Sequence, residues 1–291
     1  MTMLLSGLDI ICLASIVIFG VPHGAFDYAF IKDAVKGRNV SLSIVITAYV
    51  LLVLLSLILW FSAPTFSIII FLSISTYHFG VADPLSFGVD SKNLKSLVIF
   101  STIMQGGLTT ILLPVLHWTT FSRYFVDLQS DPKILFYWLA LSSLLWAISA
   151  LAVFKNLFHT NQKGKLAVTI LICLLAWLMK PLLFFTLFFC CSHAWSHYKK
   201  SMRHVSGGDH LPSVSFFTTT ILAWVLIVIV GFGFFPTSGD ELEFMSNPNL
   251  LRGVFASLFA LTVPHILVVD FMVPSRGRSE VLNIEQDGFT S

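Results

Sequence analysis

The chain has 291 residues, of which 56% are hydrophobic and only 11% charged, with a formal net charge of +2. A soluble domain carries about 25% charged residues, so a chain this poor in charge cannot cover itself for water, and part of its solvent is lipid. A balance this close to neutral argues against a nucleic-acid partner.

Nine apolar segments follow one another along the chain, roughly 8–30, 41–61, 65–83, 96–117, 133–154, 166–179, 181–198, 213–235 and 250–273. Most have the ~20 residues that a helix needs to cross hydrocarbon. The first has no basic stretch before it and reads as a retained helix, not a cleaved signal. The sixth is short and ends at Lys180-Pro181, where proline removes a donor and disfavours helix before it. It either spans with tilt or re-enters. The expectation is an all-α, polytopic transmembrane bundle of eight to nine spans.

The loops set its orientation. With the N-terminus outside, the inner connections carry Lys32, Lys36 and Arg38, then Lys92 and Lys95, then Lys155, Lys163 and Lys165, then Lys199, Lys200 and Arg203, then Arg276 and Arg278. The outer side keeps Arg123, Lys133, Lys180 and Arg252, and its loop 236–249 is acidic at Asp240, Glu241 and Glu243. Positive charge concentrates on the inner side of a membrane, which predicts N-out and C-in. Residues 1–275 read as one transmembrane domain, and 276–291 as a polar, mobile tail. The four cysteines, Cys12, Cys173, Cys190 and Cys191, sit in apolar runs without a CxxC spacing and read as small buried side chains.

Nine histidines remain to be explained. His117 ends a helix beside Trp118, and His159, His204 and His210 fall in loops, so all four read as solvated or interfacial. His23, His78, His193, His197 and His265 lie in segments one, three, seven and nine, each towards the end of its segment. Odd-numbered segments run in one direction, so these five reach a similar depth. Polar groups in hydrocarbon are costly and face the bundle interior. One buried histidine is easily satisfied by a helix–helix hydrogen bond, whereas five at one level point to a metal.

His193-Ala-Trp-Ser-His197 adds geometry, because residues four apart share a helix face and lie ~6 Å apart. His23 and His78 can meet that pair at the same level. Imidazole suits zinc, copper, iron or nickel. Position 194 is alanine, so the general base of an HExxH zinc protease is missing. A closed four-histidine zinc site would be structural, whereas the same ligands leave about two of six positions open on iron(II), as oxygen chemistry requires. His265, Asp27, Asp83 and Asp270 are natural partners behind the ligands, fixing imidazole tautomers. Tyr77, Phe188, Phe189, Trp195 and Tyr198 put rings near the site, where an apolar substrate would meet them.

The pieces Gly20-Val21-Pro22-His23-Gly24 with Asp27, Tyr77-His78-Phe79-Gly80 with Asp83, His193-Ala194-Trp195-Ser196-His197-Tyr198, and Pro264-His265 together resemble the membrane β-carotene 15,15′-dioxygenases of bacteria and archaea, the Brp/Blh family. The resemblance covers about residues 1–275. It implies a multi-pass enzyme of the cell inner membrane that uses Fe(2+) and O2 to split the central double bond of β-carotene into two molecules of all-trans-retinal. It also implies iron ligands at His23, His78, His193 and His197, with His265 behind them. β-Carotene is comparable in length to a bilayer core of about 30 Å, so it would enter sideways from lipid. Two other classes stay open. A membrane di-iron desaturase or hydroxylase is one, although those proteins carry about eight or more histidines in several boxes and this chain has one HxxxH. A retinal- or carotenoid-binding protein or a proton transporter is the other, although a retinal Schiff base needs a mid-membrane lysine and Lys180 lies at a boundary.

Overall fold

A computed structural model describes residues 5–82, 95–206, 214–233 and 248–272, and every regular element in them is helical. In chain order the helices are α1 (Gly7–Val35), α2 (Leu42–Ser62), α3 (Pro64–Ala82), α4 (Ser96–Leu116), α5 (Trp118–Asp127), α6 (Pro132–His159), α7 (Lys163–Leu178), α8 (181–206), α9 (Val214–Gly233) and α10 (248–272). Asp83, His210, the carboxylates Asp240, Glu241 and Glu243, and the tail 276–291 lie outside the described residues.

Among the described residues seven helices are long and apolar enough to cross a membrane, namely α1, α2, α3, α4, α6, α9 and α10. The two missing from the expected eight to nine are α7 and α8. Helix α7 has 16 residues, and its chain turns at Met179-Lys180 before Pro181 opens α8. Helix α8 dilutes its apolar first half with the serines, histidines and lysines of its second.

Prolines set several of the boundaries. Helices α3, α6, α8 and α10 begin at Pro64, Pro132, Pro181 and Pro248, positions where a missing N–H costs nothing. The outer faces are apolar: Ile44, Leu141 and Leu151 are all well exposed, as suits side chains bathed in acyl chains. Lipid supplies no hydrophobic drive for helix association, so close backbone approach and polar ties take that role. Gly80 and Gly106 bring α3 and α4 into backbone contact. Thr76 and Thr110 share a hydroxyl hydrogen bond of 2.6 Å across the same pair. Trp146 Nε1 donates to the Met104 carbonyl at 2.8 Å, and Trp224 Nε1 to the Val17 carbonyl at 2.9 Å. His117, expected at an interface, ties α4 to α7 by donating to the Ala176 carbonyl at 2.8 Å. All four cysteines are free thiols.

Candidate metal centre

Four stretches of chain leave regular α-helix near the buried histidines. In α1, residues Ile16–Gly20 widen into a π turn and Val21–Phe26 tighten into a 3-10 turn around Pro22 and His23. In α8, Phe188–Ala194 form a π segment that carries His193. In α10, Pro264 lies inside the helix just before His265, and Leu267–Met272 form a π segment that carries Asp270. Single π turns re-aim side chains that a regular helix would hold elsewhere, and they concentrate at functional sites.

The result is a cluster of five imidazoles from four helices. The His23 ring lies 5.3 Å from His193, 5.4 Å from His197 and 5.0 Å from His265, centroid to centroid. His78 lies 5.0 Å from His193, 6.3 Å from His197 and 5.2 Å from His265. His193 and His197 are 6.2 Å apart, one turn along α8. His265, expected behind the ligands, has its ring 5.0 Å from His23 and 5.2 Å from both His78 and His197. His23 is half-buried and the other four are buried.

Four of the rings are held from behind at Nδ1. His265 Nδ1 donates to Asp27 Oδ1 at 2.8 Å, and the other Asp27 oxygen accepts from the Tyr49 hydroxyl at 2.8 Å. His78 Nδ1 donates to Asp270 Oδ2 at 3.1 Å. His23 Nδ1 donates to the Gly20 carbonyl, and His197 Nδ1 pairs with the Ser201 hydroxyl at 3.2 Å. Anchoring at Nδ1 leaves Nε2 for a metal. Among the described residues, no protein group satisfies the buried Nε2 atoms of His78 and His265 or either ring nitrogen of His193. Unpaired polar atoms are expensive in a dry interior, and a cation at their focus removes that cost.

One nitrogen from each of His23, His78 and His193 lies within 4.8 Å of the other two. Nitrogens that share an ion at ~2.1 Å are at most ~4.2 Å apart, so closure onto a metal asks for a movement of under about 1 Å. The carboxylates of Asp27 and Asp270, whose side chains are buried beside His265 and His78, supply negative charge that a divalent cation balances. The donor set therefore fits such an ion.

The cluster opens into an apolar cavity of about 760 Å³, lined by side chains including Val21, Tyr49, Val50, Leu222, Leu226 and Leu261. Val50 on α2 and Leu222 on α9 are also 50% and 61% exposed, so the cavity opens through the wall between those helices. Of the five aromatics expected against a substrate, only Phe189 lines this cavity. Its ring stands edge-on to His23 at 5.4 Å and stacks on His193 at 5.9 Å. Phe188 is buried against Phe79 and Phe184 instead. Tyr77 faces outward and stacks on Phe271, because one residue before His78 is a step of about 100° around α3. Trp195, midway between His193 and His197, faces away for the same reason, stacked on Tyr198 with Lys199 over its ring. Tyr198 packs on Phe26 and Phe216. Phe79, which the Tyr77-His78-Phe79-Gly80 motif carried without a role, has its ring 4.6 Å from His193, whereas sequence reasoning did not find Tyr49 or Ser201. Nothing in their local sequence marks them, since each comes to the site only through helix packing.

Fold and site together define a class: a polytopic helical membrane protein with an imidazole cluster able to hold a divalent metal beside an apolar cavity. Comparison with known proteins narrows this further. The family model described as beta-carotene 15,15′-dioxygenase matches residues 14–273, and the chain belongs to that family. It is 30% identical over 283 residues to the beta-carotene 15,15′-dioxygenase of the uncultured marine bacterium 66A03, covering 95% of this chain and 98% of that one. It is 26% identical over 294 residues to the probable beta-carotene 15,15′-dioxygenase Blh of Halobacterium salinarum, covering 89% of this chain and 82% of that one. No solved structure gives a significant match.

Proposed function

We propose that this chain cleaves the central 15,15′ double bond of β-carotene with O2, using Fe(2+), to give two molecules of all-trans-retinal. The observation that carries the reading is the convergence of five imidazoles, several with unpaired ring nitrogens, of which His23, His78, His193 and His265 line an apolar cavity that opens to lipid. A wholly apolar substrate reaches such a site from the bilayer, never through water. Family membership and the two named relatives support the substrate.

His23, His78, His193 and His197 would hold the iron. His265 would lie against three of them, oriented by Asp27 and Tyr49. Iron(II) bound by four imidazoles supplies open positions for O2 chemistry. The protein contributes placement. Phe189 and Phe79 pack on the rings of His193 and His23 and exclude water from the reacting bond. Asp270 and Asp27 keep their histidines in one tautomer. The cavity wall fixes the polyene so that its middle faces the histidines, which converts a search in the bilayer into a positioned reaction.

The same reading places the N-terminus outside and the C-terminus inside the cell's inner membrane. It takes α7 and α8 as completing eight to nine spans, with residues 1–275 as the catalytic domain and 276–291 as a polar tail.

Expression in a β-carotene-producing cell tests the activity. The orange colour fades and all-trans-retinal accumulates if the proposal holds. Unchanged β-carotene with membrane-inserted, iron-loaded protein refutes it.

A further inference from the structure

Resting on that reading, we infer that a second, small cavity beside the first is the binding pocket for the co-substrate O2, separate from the space that takes the carotenoid. This pocket has a volume of about 70 Å³. Phe71, Ser75, Phe79 and Phe185 line both it and the large cavity, so these four side chains stand between the two spaces. Phe79 links the pocket to the histidines, since it follows His78 in the chain and its ring lies 4.6 Å from His193. The rest of the wall comes from a different side of the bundle. Thr109 and Leu113 of α4 and Tyr124 and Phe125 of α5 line the pocket, and neither helix contributes to the large cavity. Helix α9, which flanks the mouth towards lipid, lines the large cavity alone. Every residue described around the pocket is buried or half-buried, in contrast to Val50 and Leu222 at that mouth.

Size and polarity select the occupant. A cavity needs about 10–15 Å³ to hold one water, whereas an apolar cavity of about 150 Å³ takes benzene or xenon. At about 70 Å³ the pocket is too small for a carotenoid ring and roomier than one water requires. Its wall is almost wholly apolar. A trapped water uses roughly two to four polar partners, and dry cavities are apolar ones. Among the described residues, Thr109 Oγ1 is the one fully buried side-chain polar atom of this wall left without a partner, which falls short of that number. O2 has the opposite needs. It is small and uncharged, accepts hydrogen bonds poorly and dissolves better in hydrocarbon than in water. It also needs its own space: a carotenoid seated in the large cavity fills the mouth between α2 and α9, and a second molecule cannot pass it there. A pocket on the far side of Phe79 holds O2 next to the histidines while the carotenoid is bound.

Two substitutions, Thr109→Leu and Leu128→Phe, fill the pocket from positions that do not line the large cavity. Retinal formation by detergent-solubilised, iron-loaded protein is followed against O2 at saturating β-carotene, and against β-carotene at saturating O2. The expected result is a KM for O2 raised about fivefold or more in both variants, a gain within the ceiling for a two-atom ligand, with the KM for β-carotene unchanged. Turnover that recovers at high O2 reports a folded protein. Xenon provides a second measurement that needs no substitution, because it enters dry apolar cavities. Xenon under pressure should raise the wild-type KM for O2 without raising that for β-carotene. A KM for O2 that stays unchanged in both variants, or rises only together with that for β-carotene, overturns the assignment. So does wild-type protein indifferent to xenon, as a pocket filled with water would make it. These results leave the cleavage activity standing. Wild-type protein that forms no retinal at any O2 level refutes the activity itself, and the pocket's role with it.

Discussion

Helices α3 and α4 meet through Gly80 and Gly106, and that contact holds His78 in the histidine cluster. A Cβ on Gly106 would fall 1.7 Å from the Thr76 carbonyl oxygen, and one on Gly80 would fall 2.0 Å from the Thr102 carbonyl oxygen. Both obstacles are backbone, so no rotamer change relieves them. Restoring ordinary contact of at least 3.4 Å at Gly106 separates the helices by roughly 1.7 Å. His78 sits two residues from Thr76 and moves with it, which is too far to keep a nitrogen ~2.1 Å from an ion. Helix propensity works the other way, since alanine is better than glycine in a helix by about 1 kcal/mol. Overpacking costs about 1–3 kcal/mol and more when backbone is the obstacle, so the steric term wins. Gly106→Ala should lower retinal formation by about a hundredfold, the order expected for a 1 Å misplacement, and reduce bound iron. The control is Gly164→Ala, where nothing lies within 4 Å. Retinal production in β-carotene-making cells and iron per purified chain are the two readouts. If Gly106→Ala matches Gly164→Ala in both, the α3–α4 contact does not position His78 and the argument fails.

Other outcomes follow from the same geometry. His193→Ala and His197→Ala should each abolish iron retention and retinal formation while inserting normally, as judged by membrane fractionation and metal analysis. Asp27→Asn should cost about 10–100-fold in activity or iron affinity by loosening His265, and Tyr49→Phe should cost about tenfold, for one hydrogen bond to the Asp27 carboxylate. Trp195→Ala and Tyr77→Ala should leave β-carotene turnover within about twofold, since both rings face away from the cavity and surface changes are worth little. Chelator treatment followed by addition of Fe(2+), Zn(2+) or Mn(2+) should restore turnover with iron alone, measured by retinal release.

The sequence by itself determined the solvent and the chemistry. An 11% charged chain with apolar runs of membrane length can only be a lipid-embedded helical protein. The five histidines also stood out, because an imidazole in a hydrophobic run has few innocent explanations. Tertiary structure decided which side chains face inward. In water a helix announces its buried face by alternating apolar and polar residues. In lipid both faces are apolar, and the signal disappears. Tyr77 and Trp195 next to histidines therefore looked like site residues and turn outward, while Tyr49 and Phe71 gave no sign of facing the cavity. The π and 3-10 turns around His23, His193 and Asp270 added rotations that no regular periodicity predicts. They are why His265 stands among the other rings, tied to Asp27 across 238 residues of chain.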